Sequence, residues 1–274
     1  MTHKRSELFD AASFFDRNAA QYARPFYARD ARPADWDLDS IEFIRNNSSH
    51  NTLLDVGAGS GQFASLVKLN FPDMQVTALD PSANLLSLID DRSIRRVVGK
   101  IPDLTLQADE RFFFIHVANV LHHLVGRTIA ESRKKAKESL LVLRDHLDDG
   151  GFLMVREELW ETYLIPTVTR SLAFHFLSVA NMLNMPVPGF LHHERRSRSF
   201  KGLIVCMYTA SELKNVLKDC GFEIIASKIY PFQTKSKRQE RWEKQTKSKR
   251  QERWEKLALL KRWASMVFIV RSAH

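Results

Sequence analysis

The chain has few cysteines and no long apolar run. Its two cysteines, Cys206 and Cys220, are too few among 274 residues for the disulfide framework of a small secreted scaffold. No apolar stretch approaches the roughly 18 residues that a membrane-spanning helix requires. Residues 1–7 also lack the apolar core that follows the charges of a signal peptide. We therefore expect a cytoplasmic protein without a membrane span.

Clusters of metal ligands are also scarce. The run His192-His193-Glu194 places three potential ligands on adjacent residues, and side chains that are neighbours in sequence rarely bind one ion in good geometry. A polar loop, which continues through Arg195 and Arg196, is the simpler interpretation. We therefore expect no metal site.

The net charge of +9 comes mainly from one duplicated segment. Residues 233–244 repeat without change at 245–256, and each copy holds five basic and two acidic residues. The two copies carry six of the nine excess charges, so the other 250 residues carry three. Good helix formers dominate the repeat, which predicts a charged, solvated helix. We do not expect a nucleic-acid-binding body, although a patch for nucleic acid or an acidic membrane on this segment is the alternative.

A glycine-rich turn between an apolar run and a helical pattern is the most informative feature. Leu53–Val56 predicts a buried strand, and Gly57, Gly59 and Gly61 follow at alternate positions. Glycines there let the backbone turn sharply and let a ligand lie against bare main chain. The helical pattern from Gln62 places a helix N-terminus at the turn, which suits a phosphate or a carboxylate.

An acidic residue at the end of the next predicted strand completes the pattern. Gln75–Leu79 predicts this strand, and the Asp80 carboxylate after it can accept two hydrogen bonds from a ribose diol. The dinucleotide fingerprint G-x-G-x-x-G would need its third glycine at position 62, which is Gln62. The sequence therefore favours a nucleoside cofactor other than NAD, with an ordinary glycine-rich turn as the alternative.

The segment Leu53–Gly61, followed by Asp80, resembles the first two motifs of class I S-adenosylmethionine-dependent methyltransferases, and in particular the small-molecule, type 11/12-like group. The resemblance implies S-adenosylmethionine as the cofactor, with Gly57, Gly59 and Gly61 along its methionine part. It also implies that Asp55 orients the loop and the cofactor's amino group, and that Asp80 holds the ribose hydroxyls. The other cofactor-binding residues that it implies are Ala58, Pro81, Asn119, Tyr22 and, against adenine, Asp103.

Four further segments resemble the same family in the family's own order: Phe14–Tyr22, Ile115–Leu124, Leu143–Glu157 and Tyr208–Phe222. The implied fold is α/β, a seven-stranded Rossmann-like sheet of order 3-2-1-4-5-7-6 with strand 7 antiparallel and helices on both faces. Strands six and seven are expected at Phe222–Lys228 and Met266–Val270. Thr209 with Glu212 predicts a capping box at the start of the preceding helix, and Gly221 predicts its end.

We expect one domain over residues 1–274, with three additions to the basic fold. Residues 1–50 are predicted to form N-terminal cap helices, 158–208 a helical lid, and 233–256 a basic insertion between strands six and seven. Two positions depart from the family's pattern. Phe113 stands where strand four usually begins with Asp, and Lys100 lies near the expected position of an acid that contacts adenine.

The resemblance implies in-line displacement of a methyl group onto a small-molecule acceptor. Apolar residues at helical spacing across Leu159–Leu183 favour an apolar or aromatic acceptor under the lid, although core packing or a dimer surface explains them equally well. His122, directly after strand four, is the candidate general base for a hydroxyl acceptor, and His123 is the next candidate. A loop histidine that only packs or caps is the alternative.

Two other functions stay open at this level. An RNA or protein methyltransferase would use the basic repeat, and a catalytically silent protein would bind the cofactor without transfer. The stretch Asn119-Val-Leu-His122 is not the Asn/Asp-Pro-Pro-aromatic motif of base-amine methylases, and neither cysteine is placed as a nucleophile. These points favour a small-molecule acceptor, with the chain as a monomer or a homodimer.

Overall fold

Seven strands form one mixed sheet in the computed structural model of the chain. They are β1 (Thr52–Val56), β2 (Gln75–Asp80), β3 (Arg95–Val98), β4 (Phe112–Ala118), β5 (Leu147–Leu159), β6 (Phe222–Pro231) and β7 (Ala264–Ser272). Their order across the sheet is β3-β2-β1-β4-β5-β7-β6. The strands from β3 to β5 pair in parallel, whereas β7 runs antiparallel to both β5 and β6. The predicted strand order and the antiparallel seventh strand are therefore confirmed.

The structure describes residues 11–26, 33–47, 50–160, 165–183, 185, 203–231 and 264–273. The duplicated segment 233–256 and the run His192-His193-Glu194 lie outside these residues, as does much of the predicted lid. None of the helices in the described ranges combines the length and the apolar character needed to cross a bilayer.

Seven α-helices and one short 3₁₀ turn, Leu121–His123, accompany the sheet in the described ranges. The helices are α1 (Ala11–Phe26), α2 (Asp35–Asn46), α3 (Gln62–Asn70), α4 (Ala83–Leu86), α5 (Ile129–Asp145), α6 (Pro166–Met182) and α7 (Ala210–Asp219). The predicted capping box begins α7: the Thr209 hydroxyl accepts from the Glu212 N–H, and the Glu212 carboxylate accepts from the Thr209 N–H. Pro166 lies in the first turn of α6, where its missing N–H costs nothing.

Alternating side chains of the sheet build two cores, one on each face. Leu53 of β1 and Phe114 of β4 belong to the core that α2 and α3 cover. Leu54 and Ile115, one residue further along each strand, belong to the opposite core under α5 and α7. Because successive strand residues point to opposite faces, Asp55 lies on the α2–α3 face.

A third apolar cluster joins α1 to α6 and lies beyond the two sheet cores. It contains Phe14 of α1, Phe174 and Leu177 of α6, Trp160 after β5, and the segment 203–207. Arg170 of α6 adds an ion pair, because its guanidinium lies 2.8 Å from the Glu212 carboxylate at the start of α7. The described part of the predicted lid is therefore packed against the domain.

Some bounds differ from the prediction. β6 is longer than predicted at its carboxyl end and β7 is longer at both ends, and they pair from Phe222 with Ser272 to Pro231 with Ala264. Phe113 lies at the start of β4, buried and stacked at 3.9 Å on His50, far from the carboxyl ends of the strands. Cys206 and Cys220 are buried free thiols.

Candidate functional site

The glycine turn after β1 has the conformation that the motif predicts. Gly57, Gly59 and Gly61 have φ values of 70°, 54° and 76°, in the left-handed region that side chains disfavour. A Cβ at Gly57 would lie 2.4 Å from a methyl carbon of Val120, and one at Gly61 would lie 2.6 Å from Ile89. The turn therefore favours glycine, which has no Cβ. Helix α3 begins directly after it at Gln62.

Asp80 lies at the end of β2 and is tied to the glycine turn. Its Oδ2 accepts from the Gly59 N–H at 2.9 Å, and its Oδ1 accepts from the Ser82 N–H at 2.8 Å. Burial raises the pKa of this carboxyl, against the two backbone hydrogen bonds that lower it. Each oxygen keeps a further lone pair, so the carboxylate can still accept from a diol. Pro81, which has no N–H, is half-buried and lies in the sequence between Asp80 and Ser82.

Three buried polar atoms near the turn have no hydrogen-bond partner among the described residues. They are Asp55 Oδ2, Ser60 Oγ and Asn119 Oδ1. Asn119, directly after β4, has a positive φ of 57°. Buried polar atoms are nearly always paired in native proteins, so these three fit a ligand that brings amino and hydroxyl donors. Ala58 lies in the same turn, where its N–H donates to the Leu79 carbonyl at 3.1 Å.

Helix α1 contacts the residues that follow β2 and those that follow β4. Asp16 accepts a 2.7 Å hydrogen bond from the Ser82 hydroxyl, beyond the end of β2. Its neighbour Phe15 packs its ring edge-on against His123, beyond the end of β4, with centroids 5.0 Å apart. Because β1 lies between β2 and β4, these two contacts of α1 fall on either side of the carboxyl end of β1.

The two histidines after β4 have different environments. His122 is fully buried, and its Nδ1 lies 2.5 Å from Oε2 of Glu157 on β5. The other oxygen of Glu157 accepts from the Leu121 N–H at 2.6 Å. Burial raises the pKa of Glu157 to about 8. His123 is half-buried on the side of the turn that faces α1.

Tyr22 and Asp103 are the remaining residues of the predicted site. Tyr22 lies on α1, but its side chain is outside the described part of the chain. Asp103 is an exposed residue of the loop after β3, as is Lys100. The Gly99 N–H donates to the Asp80 carbonyl at 3.1 Å, so this loop starts beside the ribose-binding position implied for Asp80.

The sequence interpretation missed three residues of this region. His116 of β4 lies 2.8 Å from Asp55 through its Nδ1, and its ring stacks on Phe63 at 3.7 Å. A histidine inside an otherwise apolar strand was the available signal. Asp16 and Ser82 had no local signal, because their contact joins residues 66 positions apart. In the described residues no group of three His, Cys, Asp or Glu side chains is arranged to hold a metal.

Solved structures share this architecture at low sequence identity. The chain matches the 1,6-didemethyltoxoflavin-N1-methyltransferase of Burkholderia thailandensis with a TM-score of 0.58, 14% identity, and coverage of 99% of this chain and 90% of that one. It matches the magnesium protoporphyrin IX methyltransferase of Synechocystis PCC 6803 with a TM-score of 0.56, 11% identity, and coverage of 97% and 100%. It also matches the [4+2]-cyclase SpnF with a TM-score of 0.56, 17% identity, and coverage of 97% and 96%.

A search of the curated proteins found no match to this sequence. The family comparison gave a match: the model of a methyltransferase domain covers residues 27–227. This range takes in the glycine turn, Asp80, the two histidines and β5. Because the matched range is well over half of the 274 residues, the chain belongs to this methyltransferase domain family.

Proposed function

We propose that the chain transfers a methyl group from S-adenosylmethionine to an apolar or aromatic small molecule. The observation that supports the donor assignment is the left-handed glycine turn, which is hydrogen-bonded to Asp80 and lies near buried polar atoms that have no partner within the described part of the chain. The enzymes of Burkholderia thailandensis and Synechocystis were crystallised with S-adenosylhomocysteine bound. The same cofactor fits the donors and acceptors of this site.

In this proposal each group at the turn has a distinct partner on the cofactor. Asp80 accepts from the ribose hydroxyls, and Asp55 accepts from the amino group with its free oxygen. The turn from Gly57 to Gly61 lies along the methionine part, and Asn119 lies beside it. Bound S-adenosylmethionine supplies a methyl group on a sulfonium sulfur, which is electrophilic without further activation.

The chain itself then has to align the acceptor with the methyl donor and to exclude water from the site. Holding two reactants in line contributes about 7–11 kcal/mol in favourable cases. In this proposal helix α1, which contacts Ser82 through Asp16 and His123 through Phe15, limits the access of solvent to the donor side. The apolar cluster of Phe14, Trp160 and Phe174, buried between α1 and α6, supports an apolar acceptor beside it.

In this proposal a histidine of the 3₁₀ turn Leu121–His123 removes the proton from a hydroxyl acceptor. His123 faces α1 and is half-buried, so we assign it the contact with the acceptor. His122, fully buried against Glu157, holds the turn in place and is the second candidate for the base. A positioned base contributes roughly 10²–10⁴-fold to the rate.

Calorimetry with the full chain tests the donor assignment. We expect S-adenosylmethionine and S-adenosylhomocysteine to bind and NAD not to bind. Asp80→Ala should weaken binding by about 1.5–3 kcal/mol, because it removes charged hydrogen-bond acceptors. Asp73→Ala, an exposed acid just before the amino end of β2, is the matched control and should bind normally. Equal binding by both variants would overturn the role of Asp80.

Transfer assays with aromatic, prenylated and polar acceptors test the acceptor half. Turnover of polar acceptors alone would contradict the apolar assignment. The fold of the cyclase SpnF gives weight to a second candidate, a cofactor-binding protein without transfer. Cofactor binding without transfer to any acceptor class would favour it. An RNA or protein methyltransferase rests on the basic repeat, which lies outside the described residues.

A further inference from the structure

We infer that His116 positions the Asp55 carboxylate for the amino group of the cofactor, and that protonation of His116 weakens this contact. This makes cofactor affinity fall as the pH falls. The inference rests on the proposed function, because it takes S-adenosylmethionine as the ligand of the glycine turn. His116 acts through Asp55 and is therefore a positioning residue.

The imidazole of His116 has little freedom. His116 and Asp55 are register partners in the parallel β1–β4 pair, so their side chains leave the sheet on the same face. The His116 Nδ1 lies 2.8 Å from Asp55 Oδ1, and both side chains are at most 5% exposed. The ring stacks on Phe63 at 3.7 Å, in the first turn of α3. The imidazole is thus held between the acid before the glycine turn and the helix after it.

The two oxygens of Asp55 have different environments. Oδ1 has His116, whereas Oδ2 is buried and has no hydrogen-bond partner among the described residues. A buried acceptor that lacks a hydrogen-bond partner destabilises the site. An ammonium group that meets Oδ2 removes this destabilisation and pairs with the charge. The hydrogen bond to His116 fixes the carboxylate plane, and so the direction in which Oδ2 points.

Charged groups from three other elements face this pair. Asp37 comes from α2, Arg156 from β5 and Asp80 from β2. Burial raises the pKa of Asp37, while Arg156 and His116 lower it and Asp55 raises it, so these groups share one electrostatic environment. Arg156 is held in place over the Trp36 ring, 4.7 Å from its centroid.

The charge balance gives the sign of the effect. With His116 neutral, the three acids Asp37, Asp55 and Asp80 outnumber Arg156, the one permanent cation named among these described groups. This excess of negative charge favours a bound ammonium group. A proton on His116 adds a positive charge 2.8 Å from Asp55 and competes with the ligand for the same carboxylate. Affinity for a ligand that carries an amino group therefore decreases toward acid pH.

The experiment is calorimetric titration of the full chain with S-adenosylhomocysteine between about pH 5.5 and about pH 8.5, the range in which imidazoles titrate. We expect wild-type affinity to fall about tenfold toward the acid end, because the added positive charge competes with the amino group for Asp55. His116→Asn keeps a donor for Asp55 and does not titrate, so its profile should be flatter at near-normal affinity. His116→Leu removes the donor and should bind more weakly at every pH.

A second probe isolates the amino group. 5′-Methylthioadenosine has the ribose and adenine but neither the amino nor the carboxylate group, so its affinity for wild type should not change over the same range. This comparison needs no variant and holds even if a His116 variant fails to fold. Thermal unfolding at each pH confirms that the titrated protein is folded.

The outcomes separate the two proposals. Failure of folded wild type to bind S-adenosylhomocysteine at any pH would refute the proposed function itself. Binding with the same pH profile in wild type and His116→Asn would leave that function standing and overturn the role of His116. An equal acid loss for 5′-methylthioadenosine would also overturn it, because the effect would not pass through the amino group.

Discussion

Glu157 and His122 show how one proton changes the chemistry of a site. When Glu157 is ionised, it accepts from Nδ1–H of His122 and leaves Nε2 with a free lone pair. When Glu157 is protonated, it donates to Nδ1 and the neutral ring carries its hydrogen on Nε2, where it cannot accept another. Because burial raises the pKa of Glu157 to about 8, the proposed role of His122 as a base would require alkaline pH.

Alanine substitution separates the two histidines. We expect His123→Ala to lower turnover about a hundredfold or more, with cofactor affinity unchanged, because it removes the proposed proton acceptor. His122→Ala should chiefly lower stability, since it leaves the buried Glu157 without its imidazole partner. Steady-state kinetics, calorimetry and thermal unfolding of both variants provide the measurements. A hundredfold loss in His122→Ala beside normal turnover in His123→Ala would reverse the assignment, and the wild-type rate should then rise through about pH 8.

Glu157 should make the stability of the protein depend on pH. Its pKa rises from 4.5 to about 8 on folding, so the folded state binds more protons than the unfolded state between these values. The stabilisation is complete below about pH 4.5 and is lost as the pH rises through about 8. Glu157→Gln keeps the acceptor for Leu121 and removes this titration, so it should flatten the decline in melting temperature. Parallel curves for variant and wild type over this range would show that Glu157 ionises normally.

At the scale of elements, local sequence patterns predicted most of the strands, turns and helix ends. The apolar run of β1, the glycine turn and the Thr209–Glu212 cap each act within a few residues, so the sequence displays them directly. The ends of β6 and β7 were predicted short because they depend on pairing with each other, from Tyr230 opposite Ser265 onward. Pairing across a long insertion leaves no local signal.

The position of α1 could not be predicted, although its existence could. The segment Phe14–Tyr22 has a recognisable pattern, but the contacts of Asp16 with Ser82 and of Phe15 with His123 join distant parts of the chain. His116 was missed for a related reason. Its importance comes from its register with Asp55 across β1 and β4, which only the folded sheet establishes. The sequence therefore predicted the glycine turn of the candidate site, but not the contacts of the residues that pack around it.

At the scale of the whole molecule, most of the excess positive charge belongs to a segment of the sequence that contains none of the proposed donor or acceptor groups. The proposed donor and acceptor groups lie around the carboxyl ends of β2, β1 and β4. The repeat stands in the sequence between β6 and β7, and β6 is the third strand from β4 in the sheet order. A recent tandem copy of twelve residues is also expected to add charge without adding a new active-site group.

Deletion of residues 245–256 tests this separation, because it leaves one intact copy and removes a net charge of +3. We expect S-adenosylmethionine affinity and turnover of a small-molecule acceptor to stay within about twofold of wild type. A scrambled second copy of the same composition is the matched control for length and charge. An RNA methyltransferase would behave differently, since loss of phosphate contacts lowers RNA affinity and reduces its salt dependence by about one unit of slope per contact. Loss of turnover on RNA in the deletion, with small molecules never accepted, would replace the small-molecule proposal.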